Sequence, residues 1–107
     1  MKIKKGVTLI SEEEGSGNAA NQGDVIDFDL EINLNKGDNV SKDNYVRKLN
    51  RANMIPGIVY AIIGMKEGGY REVKISPHLA HKEKGVLGVI PENAILKCKI
   101  WLHTVNA

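Results

Sequence analysis

The stretch from Met54 to Ile63 reads MIPGIVYAII. Wound as a helix it is apolar on nearly every side, so the rest of the chain has to wrap round it. Pro56 lies near its start, where a missing N–H costs no hydrogen bond. Gly64 and the Gly68-Gly69 pair then end the helical pattern and supply the positive φ values of a tight turn. Beyond the turn Arg71, Val73 and Ile75 alternate with Tyr70, Glu72 and Lys74, which is strand periodicity. Ser76-Pro77 stops that strand, and a glycine-punctuated loop runs to Val89-Ile90-Pro91.

The wrapping material is a set of strands. Residues 2–10 read as a first strand and Ser11–Gln22 as a polar, turn-rich surface loop. Asp24–Leu34 is the clearest strand. Ile26, Phe28, Leu30, Ile32 and Leu34 alternate with Asp27, Asp29, Glu31 and Asn33, which gives one buried face and one wet face. Lys36-Gly37-Asp38-Asn39 is a hairpin signal. Asp43–Asn53 fits either a twisted, part-exposed strand or an irregular loop. The last strand, Ala94–Val105, sets Leu96, Cys98, Ile100 and Leu102 against Lys97, Lys99, Trp101 and His103. Strands flanking one short helix predict an α+β domain whose sequential strands pair antiparallel. At 107 residues the chain reads as one domain, 1–107, able to bury a single core.

Charge and targeting signals narrow the function. Fifteen basic residues against 13 acidic ones leave a net charge of +2, dispersed along the chain and too small to argue for nucleic acid. The basic opening Lys2-Ile3-Lys4-Lys5 precedes an apolar run of only Val7 to Ile10, too short for a signal-peptide core. No window reaches transmembrane length. A single cysteine excludes an intramolecular disulfide and fits a reducing compartment, so the expected location is the cytoplasm.

No motif for nucleophilic, metal or phosphate chemistry emerges. His78, His81 and His103 lack a cysteine or carboxylate at ligand spacing and read as exposed or hydrogen-bonded histidines. Cys98 falls on the inward face of a strand, where a thiol behaves as a small hydrophobe. Glu12-Glu13-Glu14 reads as a solvated loop run. Gly64–Gly69 reads as a turn with nothing of a phosphate-binding loop. No cofactor is expected.

Four motifs, "MIPG", "GMKEGGYREVKISP", "LAHKEKG" and "GVIPENAIL", fall in the order and near the spacing found in the FKBP-type peptidyl-prolyl cis-trans isomerases, which the chain resembles over essentially its whole length. The resemblance implies a strongly twisted antiparallel sheet of about five strands curled over one short central helix. It also implies isomerisation of X–Pro bonds in proline-containing peptides or unfolded proteins. On the same ground Ile55 would offer its backbone N–H to the substrate carbonyl, and His81, where the family has a loop tyrosine, would be a second donor. Met54, Val89 and Ile90 would be pocket walls, and Tyr45 would hold an aromatic position.

The chain departs from the family pattern elsewhere in the pocket. Leu30 replaces a tyrosine, Val40-Ser41 a Phe-Asp pair, Ile58 the tryptophan that floors the pocket, and Cys98 an aromatic of the last strand. These changes imply a wider or shallower cup, weak catalysis, and poor binding of the family's macrolide ligands. The alternative is a non-catalytic protein-binding or chaperone-like module on the same fold. Two surface features add expectations: self-association through an exposed Tyr60-Ala61 patch on the apolar helix Ile58–Ile63, and an outward Trp101 covering an N-terminal segment.

Overall fold

The computed structural model describes residues 2–4, 6–34, 39–50, 52, 54–76 and 95–106. Its elements are β1 (Lys2–Lys4), β2 (Val7–Glu13), β3 (Val25–Leu34), β4 (Asn39–Lys48), α1 (Pro56–Ile62), β5 (Tyr70–Ile75) and β6 (Leu96–Val105). The strands form one sheet in the order β1-β2-β5-β6-β3-β4, and every pairing is antiparallel. β2 to β6 make up the antiparallel sheet of about five strands that the resemblance implies. The sixth, β1, arises because residues 2–10 do not run straight: Gly6 takes φ 92°, and Lys2 and Lys4 fold back beside Thr8 and Val7.

The period-2 patterns set the faces. Ile26, Phe28, Leu30 and Ile32 of β3 and Leu96, Cys98, Ile100 and Leu102 of β6 are buried on the face that receives α1. Pairing of Phe28 with Leu102, Leu30 with Ile100 and Ile32 with Cys98 aligns these two rows. Val73 and Ile75 of β5 and Val7 of β2 complete the floor beneath the helix.

α1 is only seven residues long, too short to be stable alone, and tertiary packing holds it. Ile58, Val59, Ala61 and Ile62 are buried, each larger side chain contributing about 1.5–3 kcal/mol. The helix lies so close to β5 that a Cβ on Gly57 would run into Ile75 Cγ2. Its C-terminal carbonyls are held from the sheet: Arg71 Nη1 donates to Ala61 O at 2.9 Å and to Ile63 O at 3.3 Å. The expected Tyr60-Ala61 surface patch is therefore absent. Ala61 is fully buried, and Tyr60 and Ile63 are half-buried against the core, which leaves Ile58–Ile63 little exposed apolar face.

Two loop expectations are also corrected. Ser11–Glu13 continue β2 after a bulge beyond Leu9, pairing with Glu72, Arg71 and Tyr70. The glutamates are not merely solvated: Glu12 Oε2 meets Arg71 Nε at 2.7 Å, and Glu14 Oε2 lies 3.3 Å from Lys66 Nζ. The open choice over Asp43–Asn53 resolves to strand as far as Lys48, followed by a buried Leu49. Among the described residues no helix is long and apolar enough to cross a membrane.

Candidate functional site

The concave face of the sheet and the entry to α1 bring most of the expected site residues together. Direct cross-strand partners share a face. Ser41 therefore stands beside Ile32, which has Cys98 on its other flank, Asp43 beside Leu30, and Tyr45 beside Phe28, all on the side that faces the helix. Met54, Ile55 and Ile58 come from the turn into α1 and its first turn, and belong to the same core as Leu30 and Cys98, with Tyr45 packed against its edge.

Ile55 is the residue before the helix, with extended backbone at φ −56° and ψ 132°. Its carbonyl accepts from Ile58 N at 3.0 Å and Val59 N at 3.2 Å. Its N–H precedes the first helical turn and lies outside the helical ladder. Val40 sits where the β3–β4 register shifts, between Ser41 opposite Ile32 and Asn39 opposite Asn33. His81, Val89 and Ile90 lie outside the described residues, as does His78.

This apolar cluster is closed to solvent. Leu30, Ile55, Ile58 and Cys98 are at most 1% exposed, and Met54 is 4% exposed. Burial pushes the Cys98 thiol up to about 12, so at neutral pH it is uncharged and acts as a small apolar group. At the rim Tyr45 stacks on Phe28, and Arg47 Cζ lies 5.2 Å from the Tyr45 ring centroid. Burial, followed by the nearby Asp43 charge, raises the Tyr45 phenol above its ordinary range, so it stays a neutral hydroxyl.

Asp43 carries no sequence motif that marks it as a site residue. It is the one carboxylate of β4 on the concave side, exposed and directly across from Leu30. The signal was there, since Asp43 precedes Tyr45 by one strand period, but it became usable only once 39–48 was known to be a strand.

The convex face is polar and organised separately. Asn44 Nδ2 donates to Asp27 Oδ1 at 2.8 Å and Asp29 Oδ1 at 2.9 Å. His103 Nε2 lies 3.1 Å from Asp29 Oδ2. Asn44 and then His103 hold the Asp29 carboxyl below its ordinary range. Trp101 packs against Tyr70 with centroids 5.2 Å apart, where the sequence suggested an N-terminal cover. Among the described residues no three His, Cys, Asp or Glu side chains gather as a metal site.

Comparison with known proteins bears on this arrangement. Residues 16–103 match the family described as FKBP-type peptidyl-prolyl cis-trans isomerase. The chain is 34% identical over 110 residues to the 46 kDa FK506-binding nuclear protein of Spodoptera frugiperda, covering 97% of this chain and 26% of that protein. It is 33% identical over 105 residues to the FKBP-type peptidyl-prolyl cis-trans isomerase FkpA of Buchnera aphidicola, covering 95% of this chain and 41% of that one. The crystal structure of FkpA from Escherichia coli superposes with a TM-score of 0.76 at 26% identity, over 92% of this chain and 46% of its own. The chain thus spans less than half the length of each of these relatives.

Proposed function

Because this chain belongs to the FKBP-type peptidyl-prolyl cis-trans isomerase family, we propose that it is a weak, cofactor-independent isomerase of X–Pro bonds in exposed peptides or unfolded proteins. The observation that carries this reading is the buried apolar cluster of Leu30, Met54, Ile55, Ile58 and Cys98 at the entry to α1, with Tyr45 packed against its edge. Rotation about an X–Pro bond faces a barrier of about 18–20 kcal/mol that comes from amide resonance. Water stabilises the planar, charge-separated amide, so an apolar surface that excludes water favours the twisted form. A donor aimed at the rotating carbonyl adds to that preference. By the family resemblance Ile55 N–H supplies that donor, with His81 a second. No nucleophile or metal is required.

The fully buried Leu30, Ile58 and Cys98, smaller than the rings they replace, favour a second reading, a module that binds such segments without turning them over. Relaxation of a short X–Pro peptide separates the two. Uncatalysed relaxation takes tens of seconds, so modest acceleration is visible. The isomerase reading expects acceleration that is lost in Ile55→Asp and reduced in Tyr45→Leu, with circular dichroism confirming that each variant is folded. No acceleration at high protein concentration leaves the binding module.

A further inference from the structure

β4 is a sheet edge ten residues long, and among the described strands it pairs only with β3. In an antiparallel ladder successive residues aim their backbone groups alternately at one neighbour and the other. Leu49 N donates to Asp24 O at 2.7 Å, which fixes the phase: the odd-numbered residues of β4 face β3. Asn44 and Val46 therefore aim their N–H and C=O groups outward. Arg47 Nη1 reaches the outward Val46 carbonyl at 3.2 Å. Long open edges are templates for another strand, and natural edges usually carry devices that block this. β4 carries Lys42, Asp43, Arg47 and Lys48, and of these Asp43 and Arg47 are self-complementary.

We propose that β4 pairs antiparallel with β4 of a second copy, about a two-fold axis through Tyr45. Continuity of the sheet requires even residues to meet even ones, so that outward backbone groups face each other. Of the central registers that satisfy this, placing Tyr45 against Tyr45 is the one that sets Asp43 opposite Arg47, and the symmetry makes that pair twice. A register shifted by one step sets Asp43 against Tyr45 or against Leu49. Larger shifts confront Asp43 with Asp43 or Arg47 with Arg47, which repel.

In the chosen register Asn44 and Val46 exchange about four backbone hydrogen bonds with their counterparts. Val46, 55% exposed in the single chain, becomes the diagonal neighbour of the second copy's Val46. Lys42 and Lys48 oppose each other at the ends, which confines the pairing to its centre. Lys42 has Glu31 of its own chain 3.9 Å away. The two-fold axis is perpendicular to the sheet, so the helix-bearing faces of both copies lie on one side.

A junction of this length buries less than the roughly 1,600 Å² of a standard interface, so association belongs at high concentration. Sedimentation equilibrium of the intact chain should show the 11.8 kDa species shifting toward twice that mass as protein approaches about 1 mM. Asp43→Arg and Arg47→Asp, each at an exposed site, should each weaken association about tenfold or more. An equimolar mixture of the two variants should associate, because each then faces opposite charges. Amide exchange at Asn44 and Val46 should slow with concentration in the unmodified chain. A monomer at every concentration overturns the proposal. So does a dimer indifferent to both substitutions, or a mixture that stays monomeric while the unmodified chain dimerises.

Discussion

Phe28 and Tyr45 stack across the β3–β4 pair with ring centroids 5.7 Å apart and planes 29° from parallel, joining the core to the rim of the concave face. Phe28 is buried and Tyr45 half-buried, so the pair transmits packing from the sheet interior to the place where a substrate would lie. Tyr45→Leu loses the stacked ring and the Arg47 contact, and is expected to cost about 1–2 kcal/mol. Tyr45→Phe keeps the ring and should stay within about 0.5 kcal/mol of the unmodified chain. Urea midpoints at unchanged m-value check both.

Arg71 ties three elements together. Its Nε meets Glu12 on β2, and its Nη1 serves the Ala61 and Ile63 carbonyls at the end of α1. The side chain is 15% exposed. Arg71→Met leaves helix-end carbonyls without their charged donor and should cost about 2–3 kcal/mol. Lysine should recover little, since one ammonium cannot reproduce the fork that serves carboxylate and carbonyls together. Glu12→Gln removes only the more exposed partner and should cost about 1 kcal/mol or less. A larger loss for Glu12→Gln than for Arg71→Met would show that the helix-end contacts carry little.

What the sequence made legible follows from how strongly burial imposes a pattern. β3 and β6 are central strands with one face against the helix, so Ile26–Ile32 and Leu96–Leu102 alternate visibly. β4 is an edge strand at the rim. Its concave side carries Ser41, Asp43, Tyr45 and Arg47, and no apolar row marks the period, so strand and loop were both open and Asp43 was missed. Ser11–Glu13 looked like loop because their partner contributions are polar: the Arg71 that draws in Glu12 lies 59 residues away in sequence. Gly57 on the helix and Cys98 on β6 could be placed by pattern alone. The closeness of the helix to Ile75, which forbids a side chain at Gly57, could not.

Cys98 gives a pH signature. Its thiol has an ordinary value of 9.0, raised to about 12 by complete burial. Above the ordinary value the unfolded chain loses this proton while the folded chain keeps it, so the unfolded state binds fewer protons and stability falls as pH rises. The loss begins near pH 9 and runs toward about 12. In Cys98→Val, urea stability should decline less steeply over that window. At neutral pH a thiol reagent should label the native chain only as fast as it opens, and equally fast labelling of folded and unfolded chain would contradict the burial.

Ile58 tests whether the missing ring limits the chemistry. It is fully buried in the first turn of α1, where the family resemblance puts the tryptophan that floors the pocket. An indole is much larger than a sec-butyl group, and a packed core accommodates it only by shifting neighbours. Ile58→Trp should therefore lose about 1–3 kcal/mol of stability. If the weak catalysis of the proposed isomerase reflects a poorly shaped floor, the same substitution should raise kcat/KM on an X–Pro peptide several-fold, since a flat ring holds the proline and excludes water better. The two effects have opposite signs and separate readouts, a urea midpoint and a peptide relaxation rate. A variant that is destabilised with no gain in rate assigns Ile58 to core packing alone and shifts the weight to the binding-module reading.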